Sequence, residues 1–294
     1  MRKFDMFVPE DLTDLLEYLN AHQSDVHLIA NGSDLINRIQ RREISPKLIA
    51  DLSGLSELNY VRKDGEMVKI GALTTIADLA GSPVLGSRYD VFREVASKFG
   101  GPSIRNVATV GGNICAASSS EDLLPVLLVL EAKVRLRSKL GERSLRLDEF
   151  LKGKRLTDLK ANEILVETSF QDLDEESACA FEKIGMRNSL IIALVSSAVY
   201  LKLDRSKRLV KDVRIAFNRV TSKIPDRARA AEKMIQGKIL TPQFVEEASE
   251  ALGSELRLTS DFRAMSEYRH DVDCVLFKRA LNRCFERLVG QELV

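Results

Sequence analysis

Residues 100–125, GGPSIRNVATVGGNICAASSSEDLLP, restrict the possible folds of this chain more than any other stretch. The stretch is rich in small residues and mostly lacks helical or strand periodicity, so the sequence predicts a long loop. Loops of this length are uncommon in compact domains, and those that occur are usually functional. Any fold for this chain must therefore accommodate a long segment of small residues, and we expect that segment to be functional.

Two adjacent glycines lie within this stretch, in Thr109-Val110-Gly111-Gly112-Asn113, here called the second glycine segment. Adjacent glycines permit a backbone nest whose N–H groups turn inward towards an anion. Thr109 and Asn113 add a hydroxyl and an amide that can bond phosphate or ribose oxygens. A glycine bulge within a hairpin explains the same residues about equally well.

A similar break occurs earlier, at Ala30-Asn31-Gly32-Ser33-Asp34, here called the first glycine segment. Gly32 allows a positive φ and the close approach of a ligand, and Ser33 or Asp34 can cap the helix predicted to follow. Taken alone, a plain capped helix is the commoner explanation, and an anion site is the rarer one. Two such segments in one domain favour a ligand with a long anionic middle, such as a dinucleotide.

Charge and composition argue against several classes of protein. The chain has 44 basic and 43 acidic residues and no tryptophan, so nucleic acid is not predicted as a partner. No apolar run is long enough to span a membrane, and the N-terminus lacks the apolar core of a secretory signal, so we expect a cytoplasmic protein. The four cysteines and three histidines are scattered, which predicts no metal site. The motifs GxGxxG after a strand, GxxxxGK[ST] and GxSxG are absent, which disfavours Rossmann nucleotide sites, P-loop NTPases and α/β-hydrolases.

Apolar periodicity predicts the regular elements. Predicted helices cover residues 12–22, 35–40, 74–82, 88–99, 225–237, 241–252 and 275–289. Predicted strands cover residues 26–30, 47–53, 67–72, 163–170, 191–203 and 213–220. The acidic and polar segment 171–179 is the predicted domain boundary.

The last predicted helix carries basic residues largely outside its apolar face, namely Lys278, Arg279, Arg283 and Arg287. A solvated basic face is the favoured interpretation, and docking to an acidic partner is the alternative.

Several motifs follow one another in a fixed order: FVP near the start, ANGSD in the first glycine segment, IGALTT (70–75) and ATVGGNICAASSSEDLLPVLL (108–128). EIL (163–165), FEKIGMR (181–187), the series Pro225, Arg227, Glu232 and Gly237, and DFRAMSEYR (261–269) continue that order. In these motifs the chain resembles, nearly end to end, the FAD-binding subunits of the molybdenum hydroxylases. That family includes bacterial xanthine dehydrogenases and the medium subunit of aerobic carbon monoxide dehydrogenase.

The resemblance implies an α+β fold with two domains. The first, residues 1–173, would be a two-part FAD-binding domain of the vanillyl-alcohol-oxidase or MurB-like (PCMH) type, with subdomains of about 1–58 and 59–173. The second, residues 174–294, would be a smaller α+β C-terminal domain of the CO dehydrogenase flavoprotein type.

The resemblance also implies FAD as the cofactor, with both glycine segments holding its pyrophosphate. Asp122 matches a carboxylate that bonds the adenosine part, and Phe99 matches an aromatic ring that lies against the cofactor. Leu165 and Lys183 match further contacts. The implied cofactor residues are Ala30, Asn31, Gly32, Ser33, Asp34, Phe99, Thr109, Val110, Gly111, Gly112, Asn113, Asp122, Leu165 and Lys183.

Asn31 departs from the family, which usually has glycine at this position. Because asparagine tolerates left-handed backbone geometry better than most residues, we expect FAD binding to survive this change.

The function implied is electron transfer within a complex. A large partner subunit with a molybdenum cofactor would oxidise the substrate, and a small partner subunit with two-iron two-sulfur clusters would relay electrons to this chain. The flavin would then reduce NAD, oxygen or another acceptor, and no catalytic acid or base is assigned to this chain. Two other hypotheses remain open: a stand-alone MurB-like flavin reductase, and a cofactor-free assembly protein of the same fold.

Overall fold

A computed structural model describes residues 3–22, 26–187, 192–218, 226–256, 258, 260 and 264–293. Packing divides the chain into two units that each combine separate stretches of sequence. The first packing unit comprises Met1–Val84, Gly101–Ala117 and Ala132–Phe170. The second packing unit comprises Leu85–Gly100, Ser118–Glu131 and Gln171–Val294.

The described residues form a mixture of helices and strands. The helices are α1 (Leu12–His22), α2 (Leu35–Gln40), α3 (Ile76–Gly81), α4 (Asp90–Lys98), α5 (Pro102–Arg105), α6 (Val110–Ala116), α7 (Leu123–Val129), α8 (Leu147–Phe150), α9 (Arg229–Ile235), α10 (Pro242–Glu255) and α11 (Ser266–Val289). The strands are β1 (Asp5–Phe7), β2 (Val26–Ile29), β3 (Leu48–Asp51), β4 (Val61–Asp64), β5 (Met67–Gly71), β6 (Lys133–Ser138), β7 (Gly141–Arg146), β8 (Leu151–Gly153), β9 (Leu156–Thr157), β10 (Ile164–Gln171), β11 (Ser177–Ile184), β12 (Val195–Asp204), β13 (Leu209–Asn218) and β14 (Asp226–Arg227).

The first packing unit is built on a parallel three-stranded sheet of order β1-β3-β2 and a five-stranded sheet of order β4-β5-β10-β6-β7. Strands β8 and β9 add a small antiparallel hairpin. Helix α1 matches its predicted bounds, because its leucines recur at helical spacing and all face the core. They pack there with Ala50 of β3 and with Ile164 and Val166 of β10.

The second packing unit is built on an antiparallel sheet of order β11-β12-β13-β14. Helix α7 is buried along its whole length, and α11 buries the apolar face that its sequence predicted. Helix α11 begins at Ser266, nine residues before the predicted start, since the apolar spacing there is interrupted by charged residues. Two of these, Arg269 and Asp273, are themselves fully buried.

The basic face of α11 is mostly engaged within the second packing unit. Lys278 pairs with Glu246 of α10, while Arg283 and Arg287 both bind Glu94 of α4. The Arg287 guanidinium also donates to the carbonyl oxygen of Cys179. Three of the four basic side chains thus serve internal packing, which removes most of the charge that a docking site for an acidic partner would need.

The prediction of a long loop over residues 100–125 is wrong, because α5, α6 and the start of α7 lie within it. Pro102 occupies the first turn of α5, where its missing N–H costs nothing. Helix α6 contains two adjacent glycines, which lower its helix propensity and hide it from periodicity. The alternative of a glycine bulge in a hairpin is wrong for the same reason.

Strand β11 was not predicted, since it begins inside the acidic segment 171–179 and its residues from Ser177 to Glu182 are buried without alternation. Asp226 and Arg227 form β14, although the sequence predicted a helix from residue 225. Residues 191, 219 and 220 of two predicted strands lie outside the described residues, as do Pro225 and residues 261–263 of the late motifs. No helix in the described part of the chain has the length and apolar content needed to cross a membrane.

Candidate functional site

The first glycine segment links β2 to α2 in the first packing unit. Gly32 has a φ of +78°, a conformation that strains residues with a side chain. Among the described residues, no group accepts a hydrogen bond from the backbone N–H groups of residues 30–34. Residues 30 and 32–34 are half-buried and Asn31 is exposed. A run of donors without protein acceptors at such a position is suited to an anion.

Asn31 is not in the left-handed region, so the expected reason for tolerating asparagine is wrong. Its side-chain Nδ2 instead donates to the carbonyl oxygen of Val107, 3.0 Å away. Val107 lies two residues before the second glycine segment. Asn31 therefore ties the first glycine segment to the approach of the second.

Asp34 occupies the N-cap position of α2, yet its side chain makes no capping bond, contrary to the sequence expectation. Its carboxylate instead accepts two hydrogen bonds from Arg155, at 2.8 and 2.9 Å. Ser33 likewise makes no cap; its carbonyl oxygen accepts a bond from the Asn37 amide. Sequence reasoning missed Arg155, because a single arginine in a hairpin 121 positions away carries no local signal.

The second glycine segment forms the first turn of α6, with Thr109 as its N-cap. The Thr109 hydroxyl accepts from the N–H of Gly112 at 3.0 Å, and its carbonyl accepts from Asn113. The N–H groups of Val110 and Gly111 donate to Thr74 and Ala72. These four N–H groups are thus satisfied within the protein, so the predicted open nest is wrong for this segment.

The two glycines of this segment face different surroundings. A Cβ on Gly111 would lie 2.8 Å from the carbonyl oxygen of Ala72, so the absence of a side chain permits close packing. A Cβ on Gly112 would meet only the Thr109 hydroxyl, at 2.8 Å, and Gly112 is exposed. Gly111 thus holds α6 against the IGALTT segment, while Gly112 leaves an exposed stretch of backbone.

Leu165 is buried in β10 at a β-bulge, where the pairing with β6 shifts between Leu165 and Glu167. The carbonyl oxygen of Val166 accepts from the N–H of Ala72. Ala72 therefore bonds both to Val166 at the bulge and to Gly111, and so connects β10 to α6 within the first packing unit.

Asp122 and Lys183 lie in the second packing unit and bind each other. The Lys183 Nζ is 2.5 Å from Asp122 Oδ2, and the two side chains are only 2% and 6% exposed. Burial raises the pKa of the Asp122 carboxyl to about 6, against the opposing effect of Lys183. Its other oxygen, Oδ1, is buried and has no hydrogen-bond partner among the described groups.

Lys183 also donates to the carbonyl oxygen of Lys98, at 2.9 Å. Lys98 ends α4, and the half-buried Phe99 is the C-cap residue that follows it. The Lys98 ammonium pairs with Glu182, next to Lys183 in β11. Lys183 therefore fixes the end of α4 and the backbone position from which Phe99 projects.

The residues present fit FAD in two respects, one in each unit. In the first unit, five consecutive backbone donors have no acceptor among the described residues, which suits an anionic pyrophosphate. In the second, Asp122 Oδ1 has no partner in the described part of the chain, which suits a hydroxyl donor. Of the predicted residues, the first packing unit holds the two glycine segments and Leu165, and the second holds Phe99, Asp122 and Lys183.

Comparison with known families gives two matches that together span most of the chain. Residues 2–170 match the model of the FAD binding domain in molybdopterin dehydrogenase. Residues 180–284 match the CO dehydrogenase flavoprotein C-terminal domain.

Individual proteins match along nearly their whole length. The chain is 31% identical to the glyceraldehyde dehydrogenase medium chain of Sulfolobus acidocaldarius, over 95% of this chain and 97% of the relative. It is 30% identical to the nicotinate dehydrogenase FAD-subunit of Eubacterium barkeri, over 99% of both chains. A solved structure of carbon monoxide dehydrogenase from Hydrogenophaga pseudoflava superposes with a TM-score of 0.91 at 29% identity, covering 97% of this chain and 98% of that one. The predicted α+β fold, a flavoprotein domain followed by a CO dehydrogenase-type C-terminal domain, is confirmed.

Proposed function

Because the chain belongs to the family with the FAD binding domain of molybdopterin dehydrogenases, we propose that, with FAD bound, it passes electrons from iron–sulfur clusters of a partner subunit to NAD, oxygen or another acceptor. The chain is an FAD-binding subunit of the molybdenum hydroxylase type, and its cofactor is FAD. It is thus an oxidoreductase subunit, which disfavours the cofactor-free assembly protein. The observation that carries the proposal is the match to a medium chain and an FAD-subunit over nearly the full length of each.

In the first packing unit, we assign the FAD pyrophosphate to the glycine segments. The backbone N–H groups of residues 30–34 donate to the phosphate oxygens, since nothing else in the described chain accepts from them. Val110 and Gly111 fix α6 through their bonds to the IGALTT segment, and exposed Gly112 lets the phosphates approach. Thr109 and Asn113 shape this turn, and Leu165 adds a buried apolar contact from β10.

In the second packing unit, we assign the adenosine part to Asp122. Its unpartnered Oδ1 accepts a ribose hydroxyl, while Lys183 holds Oδ2 and so fixes the direction of the carboxylate. Lys183 acts as a positioning residue for both Asp122 and the segment that carries Phe99. Phe99 supplies an aromatic surface for the cofactor.

The partners of the proposed complex are a large molybdenum-cofactor subunit and a small two-iron two-sulfur subunit. A medium chain by definition has larger and smaller companions, and two of the matched relatives carry the names medium chain and FAD-subunit. The four cysteines are all free thiols, which supports our proposal of a cytoplasmic location. The boundary between the FAD-binding domain and the C-terminal domain, at residues 173 and 174, is likewise proposed.

The test is purification of the tagged chain from its native host, followed by measurement of flavin, iron and molybdenum. We expect the chain in one complex with a molybdenum subunit and an iron–sulfur subunit, with all three cofactors in constant ratio across the elution peak. A lone flavin-containing chain that reduces an acceptor without iron or molybdenum would contradict the proposal. That result would favour the stand-alone flavin reductase.

A further inference from the structure

We propose that Arg155 is a positioning residue for the cofactor: it neutralises Asp34 and fastens the first glycine segment to the end of α6, so that the segment can accept an anion. The inference rests on the proposed function, in which this segment holds the FAD pyrophosphate. It assigns a task to a residue in the β8–β9 hairpin that belongs to neither glycine segment.

The contacts of Arg155 join three separate parts of the first packing unit. Its guanidinium binds both carboxylate oxygens of Asp34, and Nη1 also donates to the carbonyl oxygen of Ala116 at 3.2 Å. Its backbone N–H donates to the carbonyl oxygen of Ala117 at 2.8 Å. Ala116 and Ala117 end the helix that the second glycine segment begins. Arg155 therefore sets the spacing between the two segments.

The charge of Asp34 explains why this contact concerns an anion. A carboxylate on the last residue of this run of backbone donors would repel a pyrophosphate, and like charges in a partly buried site interact strongly. The Asp34 side chain is 38% exposed, so solvent alone screens it incompletely. A bidentate arginine cancels the charge and holds both oxygens in a fixed orientation.

Arg155 lies in the short turn between β8 and β9 and has a φ of +60°, a left-handed conformation that two-residue hairpin turns commonly use. From this turn the backbone of Arg155 reaches Ala117, and its side chain reaches Asp34 and Ala116.

The first glycine segment is thus held at both ends. Asn31 binds Val107 before the second glycine segment, and Asp34 is bound through Arg155 to the residues after α6. Between these points, the N–H groups of the segment keep one arrangement before the cofactor arrives. A preorganised cradle loses less conformational entropy on binding.

The experiment measures FAD affinity on the full chain after removal of its flavin, by quenching of FAD fluorescence. Four variants are compared with the wild type: Arg155→Ala, Arg155→Lys, Asp34→Asn and the double variant Arg155→Ala/Asp34→Asn. Arg42→Ala is the matched control, because Arg42 also has a φ of +60° and forms no ion pair with Asp34 or with any other described residue. The thermal midpoint of each flavin-free variant reports folding separately.

We expect Arg155→Ala to weaken FAD binding roughly five- to tenfold, because it exposes the Asp34 charge and releases the segment. Arg155→Lys retains the charge and should recover part of the affinity. Asp34→Asn removes the charge that would repel the phosphates but also weakens the tie to Arg155, so its FAD affinity should stay within about threefold of the wild type. In its background Arg155→Ala should cost about threefold or less. A purely structural arginine would lower the thermal midpoint without this dependence on Asp34.

Two results would overturn the inference while leaving the proposed function intact. One is wild-type affinity in Arg155→Ala; the other is a tenfold loss in Asp34→Asn, which would make the carboxylate an asset to binding. If Arg155→Ala does not fold, the Asp34→Asn measurement still decides. A wild-type chain that does not rebind FAD would overturn the proposed function itself.

Discussion

Gly111 and Gly112 are neighbours in α6, yet the protein depends on them for different reasons. Gly111 brings its backbone against the carbonyl oxygen of Ala72, and Gly112 faces outward. We expect Gly111→Ala to lower the free energy of unfolding by about 1–3 kcal/mol, since the added methyl group would overlap a backbone atom. Gly112→Ala should change stability by less than about 1 kcal/mol, because the helical gain of alanine offsets its contact with Thr109. Urea unfolding of both variants tests this, and equal losses would contradict it.

Gly112→Val tests the ligand side of the same position. The exposed face of Gly112 is where the phosphates are proposed to approach, so a branched side chain there should abolish FAD retention while the chain stays folded. The flavin content of the purified variant, measured by absorbance, is compared with that of Gly112→Ala. Normal flavin content in a folded Gly112→Val chain would refute the assignment of this segment.

Asp122 predicts a pH dependence of FAD affinity. Burial raises its pKa to about 6, and a hydroxyl donated by the cofactor would favour the ionised carboxylate and lower that pKa. Binding therefore releases a proton when the pH is below about 6, and FAD affinity should fall as the pH drops from 7 to 5.

The control for this prediction is Asp122→Asn, which cannot ionise and should bind weakly with little pH dependence over the same range. Fluorescence titration at several pH values gives the dissociation constants. A wild-type affinity that stays constant between pH 7 and 5 would exclude Asp122 as the acceptor, whether or not the asparagine variant folds.

At the scale of elements, Glu94 joins α4 to both β11 and α11 in the second packing unit. Its carboxylate accepts from the N–H of Phe181 at 2.8 Å and from Arg283 at 3.0 Å, and it also pairs with Arg287. The Glu94 side chain is 13% exposed, so its loss would leave two arginines without their shared counter-ion. Such mixed contacts lie between surface and buried ion pairs in strength.

We expect Glu94→Ala to reduce the free energy of unfolding by about 1–3 kcal/mol. Glu246→Ala is the matched control, since Glu246 pairs with Lys278 of the same helix but is 54% exposed, and its loss should cost at most about 1 kcal/mol. Chemical denaturation of both variants gives the comparison. Equal effects would mean that the Glu94 network contributes no more than a surface pair.

At the scale of the whole molecule, the segments matched by the family models and the packing units do not coincide. Residues 85–100 and 118–131 lie within the first family match, yet they pack in the second packing unit. Helix α7 is the clearest case, because all its residues are buried there.

This arrangement predicts that residues 174–294 do not fold as a separate fragment. Without α4 and α7, the apolar side of the sheet they cover would be exposed, and Arg227 would lose its bond to Glu131. We expect the fragment to be insoluble or to lack a cooperative thermal transition, whereas the full chain has one. A soluble, cooperatively unfolding fragment would show that these helices are dispensable for the second packing unit.

Sequence patterns predicted the elements whose residues interact mainly with neighbours in the sequence. Helices α1 and α2 match their predicted bounds, and in α1 the leucines at helical spacing are the buried residues. Helix α6 was missed because its stability comes from Thr74 and Ala72, distant residues that accept its first N–H groups. The bond between Arg155 and Asp34 was equally invisible, since it depends on how a hairpin meets a segment 121 positions earlier. The cofactor was identified only through the resemblance, because the glycine segments alone also fit a capped helix and a bulge.

The burial of α7 has a consequence for how the chain is made. The ribosome synthesises the seven apolar residues of α7 before β12 and β13, the strands that cover them. Roughly ninety residues separate α7 from the end of β13. At typical rates of synthesis the helix waits about 5–20 s for its partners. During that interval the nascent chain exposes the apolar surface of α7, so this segment is where a chaperone would first be needed.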